Sequence, residues 1–257
     1  MSILFKNSQG SFSIGSAYWK DANGVVTGIA EGYTKFGGEV NPFLASGMSL
    51  SDLPAGALVS INENGKPAPF ILLTHNYEPN LNGGGRRILL RKKVTENVQF
   101  GSSYVYENST LDTWLNGTYK SRLDAGVQNL LVDTKFKYTP SGTSAEVKTI
   151  SRKVFALSAA EFGLTANNIN SAEGTAIPVA KTNIAPFNDG GGAAYQWVRS
   201  LVFGSTNTTY SMVLSGTSGI HPIGCTGSYP ARPVLALQAK AKVNPEPNAD
   251  GSYTLIV

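Results

Sequence analysis

The sequence predicts an α+β fold with an irregular, mostly antiparallel sheet and two or three short helices. The first observation is composition. The 257 residues include 28 Gly and 13 Pro, and Ser, Thr and Asn make up much of the polar remainder, which favours turns over long helices. The second is that short apolar runs alternate with turn signals from Leu53 onwards, whereas helix-start signals are few. Hydrophobic residues still make up 41%, enough for a core, which excludes a disordered chain.

The strands are predicted from short apolar runs bounded by turn residues. Residues 57–61 and 69–73 flank an Asn-Gly-containing turn at 62–65, and a third strand follows a glycine run at 83–85. That third strand is expected at 87–91, and the remaining strands of the main domain at 154–157, 193–203, 210–214 and 233–237.

The sequence signals for helices predict only short ones. Ser109 can cap a helix with Asp112 at its N3 position, and Asn116-Gly117 would end it. Asp124 can start a second helix, whose residues Val127, Leu130 and Leu131 would face inward. Residues 158–161, Ser-Ala-Ala-Glu, form a complete capping-box sequence, and Gly163 would close that turn.

The chain divides into an N-terminal attachment segment (1–47), a main domain (48–237) and a C-terminal hairpin (238–257). The first contains strand-and-turn units at 17–27 and 31–38 that are too small to bury a core, so we expect it to dock on another chain. A linker is expected at 44–52. In the last segment, two short apolar runs bracket a proline-containing turn, which predicts a terminal hairpin standing apart from the domain.

Composition excludes several functional classes. Charged residues make up 15% and the formal net charge is +4, without the concentrated basic face of a nucleic-acid binder. A single cysteine, Cys225, and two histidines leave no disulfide framework and too few ligands for a zinc site, so we expect no metal and no cofactor. Apolar runs are too short for a membrane span, and residues 1–5 lack the features of a signal peptide.

Four motifs occur in a fixed order. They are Tyr-Glu-Asn-Ser at 106–109 running into Trp-Leu-Asn at 114–116, Phe-Ala-Leu-Ser-Ala-Ala-Glu at 155–161, Trp-Val-Arg-Ser at 197–200, and Ala-Arg-Pro-Val-Leu-Ala-Leu at 231–237. The set resembles an uncharacterised domain family that is widespread in Gram-positive bacteria and in their phages and prophages. That family is distantly similar to the C-type-lectin-like fold of formylglycine-generating enzymes and retroelement variable proteins. The resemblance covers residues 53–237 and implies a C-type-lectin-like domain.

Residues 31–38, Glu-Gly-Tyr-Thr-Lys-Phe-Gly-Gly, are similar to short motifs at the start of phage tail-associated proteins with this domain. The resemblance implies a virion protein made in the bacterial host cytoplasm. We expect a tail-associated receptor-binding protein that contacts other virion proteins through residues 1–47 and binds a host-surface glycan or protein. Capsid decoration or a head fibre, and a bacterial surface carbohydrate-binding module, remain alternatives. Multivalent display implies a homo-oligomer or many copies per particle, with no nucleic-acid or membrane partner.

An enzyme is not expected. Formylglycine-generating enzymes use a cysteine pair, and this chain has Cys225 alone, four residues after His221 with no orienting acid nearby. The glycine runs at 83–85 and 190–192 lack the Lys-Ser/Thr of a phosphate-binding loop. We therefore predict no catalytic residue and a free thiol.

The candidate ligand-binding residues lie between 193 and 229. Tyr, Ser and Asn supply contact area and adaptable hydrogen bonds at low entropic cost, and the resemblance places the binding face of lectin-like folds in this C-terminal region. Ordinary polar loops are the alternative. The candidates are Tyr195, Asn207, Tyr210, Ser211, His221 and Tyr229.

Two tryptophans and two arginines are predicted to be structural. Trp114 and Trp197 are large apolar anchors for a fold with little helix. Arg199 and Arg232 lie within apolar strands, where burial demands a carboxylate or carbonyl partner. Their nearest acidic candidates are Glu107, Asp112 and Glu161, and the alternative role for the arginines is a clamp on an anionic ligand group.

Five basic residues cluster around the strand at 87–91. One interpretation is a solvated strand edge that its charges protect from aggregation. The other is contact with an anionic polymer such as teichoic acid, or with a neighbouring subunit. The cluster comprises Arg86, Arg87, Arg91, Lys92 and Lys93.

Overall fold

The computed structural model describes residues 47–188, 190–207, 210–215 and 219–257, together with the backbone of four earlier strands. The chain divides into two compact units, Met1–Gly47 and Met48–Val257. In the first unit, β1 (Tyr18–Lys20) pairs antiparallel with β2 (Val26–Gly28), as the sequence predicts. β3 (Glu31–Phe36) pairs antiparallel with β4 (Glu39–Leu44). Residues 21–25 and 37–38, which include the predicted turn and the end of the 31–38 motif, lie outside the described residues.

An eight-stranded sheet dominates the second unit, with strand order β12-β17-β8-β7-β6-β19-β18-β5. Its pairs are antiparallel, except that β19 runs parallel to β6. Smaller sheets join β10 to β11, β9 to β16, and β13 to β14 and β15. The strands are β5 (Met48–Ser49), β6 (Leu58–Glu63), β7 (Lys66–Thr74), β8 (Arg87–Arg91), β9 (Asn97–Gln99), β10 (Thr134–Tyr138), β11 (Lys148–Arg152), β12 (Val154–Phe155), β13 (Tyr195–Leu201), β14 (Tyr210–Ser215), β15 (Gly219–Gly224), β16 (Ser228–Pro230), β17 (Val234–Leu237), β18 (Lys242–Val243) and β19 (Tyr253–Ile256).

The helices are short, as expected for an α+β protein with mostly antiparallel sheets. Within the described part of the chain, none is long and apolar enough to cross a membrane. Single 3-10 turns occur at Leu50–Asp52 and Ser171–Glu173. The α-helices are α1 (Pro79–Asn82), α2 (Thr110–Trp114), α3 (Ala125–Leu130) and α4 (Pro178–Thr182).

The predicted helix starts at Ser109 and Asp124 are confirmed, and one predicted helix end is wrong. The Ser109 hydroxyl accepts the Asp112 backbone N–H at 3.0 Å, which caps α2. Instead of ending at Asn116-Gly117, the chain stays helical through a π-helical turn, Leu115–Tyr119, and a 3-10 turn, Lys120–Arg122. The Asn116 amide donates to the Val154 carbonyl at 2.9 Å, so a tertiary contact holds this residue within the helical path.

The capping box at 158–161 forms with both of its hydrogen bonds. The Ser158 hydroxyl accepts the Glu161 N–H at 3.1 Å, and the Glu161 carboxylate accepts the Ser158 N–H at 2.9 Å. Gly163 closes the turn in the left-handed region, at φ +75°. No helix follows, because the chain turns back immediately after one capped turn.

Strand β8 lies in the interior of the large sheet, between β17 and β7. The interpretation of residues 86–93 as a solvated sheet edge is therefore wrong. The three central residues, Ile88, Leu89 and Leu90, are all buried, so both faces of the strand are covered. An apolar run that is covered on both faces is typical of a strand inside a sheet, and here pairing with β17 and β7 gives it that position.

The C-terminal hairpin forms, but it lies within the large sheet. Val243 pairs with Leu255 inside the hairpin, Tyr253 pairs with Val59 of β6, and β18 pairs with β5. Residues 238–257 thus belong to the second unit rather than standing apart from it. The predicted linker at 44–52 likewise contributes β5 and the fully buried Leu50, because an isolated hairpin gains little stability until further strands cover its apolar face.

Candidate functional site

The four sequence motifs meet in the core of the second unit. The Tyr106 hydroxyl accepts the Ala156 backbone N–H at 3.2 Å, which joins the first motif to the second. The Arg199 backbone N–H donates to the Leu157 carbonyl at 3.0 Å, which joins the second to the third. Strand β12 pairs with β17 and so joins the second to the fourth. The ordered motifs are therefore the pieces of one packed junction.

Arg199 occupies the centre of this junction, and all five of its N–H groups donate hydrogen bonds. Its two terminal nitrogens hold the Glu161 carboxylate at 2.6 and 2.9 Å. The other three N–H groups donate to the carbonyl oxygens of Lys137, Ala156 and Glu173, at 2.8, 3.0 and 2.9 Å. Both charged side chains are fully buried. Arg199 thus has the carboxylate partner that its burial requires.

Two more buried groups complete this network. The Tyr77 hydroxyl donates to Glu161 at 2.5 Å, and burial raises the pKa of Tyr77 well above its ordinary value. The Glu173 carboxylate accepts the Thr139 N–H at 2.9 Å and the Ser200 hydroxyl, and burial raises the pKa of Glu173. The polar groups of this network partner one another, so it organises the fold and leaves no opening for a ligand.

Arg232 is 4% exposed and has neutral partners. Its guanidinium donates to the carbonyl oxygens of Arg91, Lys92 and Asn183 at 2.8, 3.2 and 2.9 Å. Among the described residues, no carboxylate forms a salt bridge with it. Burial, with a smaller effect from Arg91, lowers the pKa of Arg232 to about 9. The residue therefore brings an uncompensated positive charge into the protein at neutral pH.

A row of aromatic rings leads from the core to the surface. Trp197 is buried, and its indole N–H donates to the Val98 carbonyl at 2.7 Å. Its ring centroid lies 5.3 Å from that of Tyr229, which lies 5.7 Å from that of Tyr195. Tyr195 is 45% exposed. The structure thus brings together two of the predicted ligand-binding residues, Tyr195 and Tyr229, which we call the aromatic pair.

The other four predicted ligand-binding residues lie on or next to strands β14 and β15. Ser211 differs most from its prediction as a surface residue: it is fully buried, and its hydroxyl donates to the Ser200 carbonyl at 3.3 Å. It lies on the inward side of β14, between strands β13 and β15. His221 is partly exposed on β15, and Asn207 is exposed in the loop before β14. Tyr210 begins β14, and its side chain lies outside the described residues.

Trp114 is only partly buried and packs against the edge of the core. Leu111, one turn earlier, and the next residue, Leu115, are fully buried. The Trp114 ring lies 5.6 Å from the Tyr119 ring, and the Arg122 guanidinium lies over it at 5.4 Å. Trp197, in contrast, is a true core anchor.

A cleft of about 830 Å³ opens beside the turn between β6 and β7. We call it the charged cleft, since its charged lining residues are Glu63, Lys66, Arg91, Lys93, Glu96 and Arg122. The Arg91 Nε donates to both oxygens of Glu63 at 3.0 and 3.1 Å. Arg122 binds Glu96 through both terminal nitrogens, and the Tyr119 hydroxyl donates to Glu63. Both acidic groups are therefore neutralised in place.

One strand pair connects the charged cleft to the aromatic pair. The Thr95 N–H donates to the Ala231 carbonyl at 2.8 Å, and the Ala231 N–H donates to the Glu96 carbonyl at 3.3 Å. Immediately beyond, β9 pairs with β16, where Tyr229 lies opposite Val98. The charged cleft and the aromatic pair therefore both include residues of these two paired segments.

A protein-family profile described as a domain of unknown function, DUF6273, matches residues 84–239, more than half of the chain. The chain belongs to the DUF6273 family. The DUF6273 region contains all four motifs and the aromatic pair. A search of curated proteins found no match, and a search of solved structures found none either.

The predicted basic cluster begins the DUF6273 region and is divided by the structure. Arg91 and Lys93 line the charged cleft, and Lys92 is exposed. Arg87 is 8% exposed and donates to the Gly85 carbonyl at 3.2 Å. The Nε atoms of Arg86 and Arg87 are buried without a hydrogen-bond partner. The five residues therefore do not form one basic surface.

The DUF6273 region also contains Cys225, which is a buried free thiol whose pKa is raised by burial. Among the residues that the structure describes, no group of three His, Cys, Asp or Glu side chains could hold a metal ion. Sequence reasoning missed four of the six charged residues of the charged cleft, namely Glu63, Lys66, Glu96 and Arg122. No local signal could have found them, since they come from separate segments.

Proposed function

We propose that this protein is a virion protein of a phage or prophage, a tail-associated adhesin that binds a host-surface glycan through its second unit. Residues 1–47 would attach it to other virion proteins. The support comes from the ordered motifs and the 31–38 segment, which resemble phage-associated sequences. We also propose a C-type-lectin-like fold for the second unit. Its support is that the motifs carrying the resemblance pack together around Arg199.

The aromatic pair is the observation that carries the binding proposal. Tyr195 is 45% exposed, and Tyr229 packs edge-on against both Tyr195 and the buried Trp197. A tyrosine ring offers an apolar face to the C–H groups of a sugar ring, and its hydroxyl can bind sugar hydroxyls. Because Trp197 holds Tyr229 in place, little side-chain entropy remains to be lost on binding.

Binding without catalysis fits the placement of the reactive groups. The buried carboxylates Glu161 and Glu173 are engaged by Arg199 and Ser200. The Cys225 thiol is buried. All of these groups are buried, so a ligand at the aromatic pair would meet the aromatic rings and no reactive group among them. We therefore propose a binding protein rather than an enzyme.

The test of the binding site uses the full-length chain on a panel of host cell-wall glycans and on whole host cells. We expect Tyr195→Ala to weaken binding about tenfold, the scale of a truncated aromatic contact. Ile256→Ala is the matched control, because Ile256 is 36% exposed on β19 and outside the aromatic pair. Equal binding by Tyr195→Ala and wild type would refute this site, and failure of the wild type to bind any host surface component would refute the function.

The virion assignment has its own test. Antibody labelling of purified particles in the electron microscope should place the protein at the tail. Labelling confined to the capsid would contradict the adhesin proposal in favour of decoration. Absence from particles together with labelling of the bacterial surface would contradict the virion proposal altogether.

A further inference from the structure

We propose that the start of β8 binds a small oxyanion, a phosphate or carboxylate group, which the Arg87 guanidinium holds with Arg86 beside it. We call these two arginines the oxyanion site. Neither belongs to the aromatic pair, so this inference is independent of the proposed function.

Two buried nitrogen atoms of the oxyanion site donate no hydrogen bond, namely the Nε atoms of Arg86 and Arg87. Within the part of the chain that the structure describes, neither guanidinium forms a salt bridge. Arg87 is 8% exposed. Among the described residues, its five N–H groups find a single acceptor, the Gly85 carbonyl at 3.2 Å. The Arg87 guanidinium is thus buried with donors to spare.

Other arginines of the second unit differ in this respect. Arg199 donates from all five of its N–H groups. Arg232 is also buried without a carboxylate, yet all three of its nitrogens donate to backbone carbonyls. The Nε atom donates a hydrogen bond in Arg91, Arg152, Arg199 and Arg232. The unused donors are therefore particular to the oxyanion site.

An oxyanion supplies what these donors require. Burying a charge without acceptors for its hydrogen bonds costs free energy, and a bound anion offsets that cost with both charge and acceptor oxygens. The planar guanidinium matches two oxygens of a phosphate or carboxylate with parallel hydrogen bonds. Arg86, the adjacent residue, adds a second positive charge that attracts the same anion.

A loop of three glycines borders the Arg87 guanidinium, since Gly85 supplies its acceptor. The φ angles of residues 83–85 are +71°, +85° and +68°, a region that favours glycine. The Asn76 side chain holds the loop by accepting the Gly85 N–H at 3.1 Å. A Cβ added to Gly83 would meet nothing within 4 Å, so open space lies beside the loop. A small group can therefore approach this backbone without meeting a side chain.

The burial of Arg87 limits the size of the ligand. With 8% of the residue exposed, a small anion or the end group of a longer molecule can reach it, whereas the middle of a polymer chain cannot. Phosphate and carboxylate end groups share this chemistry with the free anions. The experiment therefore includes both sources.

Isothermal titration calorimetry of the full-length chain measures binding of inorganic phosphate, acetate and poly(glycerol phosphate), with chloride keeping the ionic strength constant. We expect saturable binding of phosphate or acetate. Arg87→Met should weaken it at least about tenfold, and Arg86→Met should weaken it less. Arg122→Met is the matched control: it removes the same charge from a guanidinium that Glu96 already occupies, and should bind the anion as the wild type does.

Urea unfolding gives a second readout that a purely structural arginine would not share. In chloride buffer, Arg87→Met removes a buried charge that lacks a partner, so its unfolding midpoint should equal or exceed that of the wild type. Added phosphate or acetate, whichever binds, should raise the midpoint of the wild type but not that of Arg87→Met. A midpoint of Arg87→Met well below that of the wild type in chloride would overturn the proposal, because the guanidinium would then stabilise the fold by itself.

The titrations have further decisive outcomes. Tighter binding of poly(glycerol phosphate) than of the free anions would support the oxyanion site with a polymer end group as its ligand. No saturable binding of any of the three probes at millimolar concentration would overturn the site, as would equal binding by Arg87→Met and the wild type. Glycan binding at the aromatic pair is measured with Tyr195→Ala, so either proposal can fail while the other stands.

Discussion

Replacing Arg199 with methionine removes five hydrogen-bond donors from a site that is closed to solvent. The substitution leaves the Glu161 carboxylate fully buried, with the Ser158 N–H and the Tyr77 hydroxyl as its remaining partners. The carbonyl oxygens of Lys137, Ala156 and Glu173 also lose their Arg199 donors. Methionine has a similar length, so the main loss is polar rather than a cavity.

The expected cost follows from these contacts. Removing one partner of a buried ion pair costs about 3–5 kcal/mol. Buried acceptors left unpaired add about 1–3 kcal/mol each where water cannot reach them. We therefore expect Arg199→Met to lower the free energy of unfolding of the second unit by at least about 4 kcal/mol.

Urea unfolding followed by tryptophan fluorescence measures this loss, since Trp197 is buried in the same unit. Arg122→Met is the control: it breaks the ion pair with Glu96, whose side chains are 26% and 44% exposed, and should cost about 0–1 kcal/mol. If Arg199→Met does not fold, Arg199→Lys, which keeps the charge with three donors, should give an intermediate loss. Equal costs for Arg199→Met and Arg122→Met would refute the reasoning.

Three further predictions follow from burial. Burial raises the pKa of Glu173 above 4.5, so the folded protein favours the protonated carboxyl. The stability that this protonation contributes is fully present below pH 4.5 and is lost as pH rises through the native pKa. Glu173→Gln should therefore flatten the pH dependence of the melting temperature. Gly142→Ala places a Cβ 2.4 Å from the Ser205 carbonyl oxygen and should cost about 1–3 kcal/mol. Gly117→Ala, which meets nothing within 4 Å, should not destabilise, and equal urea midpoints for both variants would contradict this. The buried Cys225 should react with a thiol reagent only as fast as the protein opens; rapid native labelling would contradict its burial.

Local features of the fold could be predicted from the sequence. The Ser109 cap, the capping box of Ser158 and Glu161, and the closing Gly163 all depend on residues within five positions of one another. Short apolar runs likewise predicted most strands of the second unit. The physical reason is that caps and turns satisfy backbone groups within one turn of chain, so neighbouring residues contain all the information.

Predictions failed where a distant segment decided the outcome. The charges around β8 indicated an edge strand, yet pairing with β7 and β17 buries it. Ser211 has the composition of a surface residue, but β14 lies between two partner strands and turns this side chain inward. The terminal hairpin was predicted correctly, while its place beside β6 and β5 depends on strands about 200 residues earlier.

The sequence by itself determined the α+β class and the ordered motifs, including the buried arginines Arg199 and Arg232. Only the tertiary structure decided their partners. Arg199 meets Glu161 across 38 residues, and the walls of the charged cleft come from segments around Glu63, Lys93 and Arg122. Ion pairs and clefts are formed by side chains that folding brings together. Their geometry therefore depends on the packing of the whole unit, which no local pattern encodes.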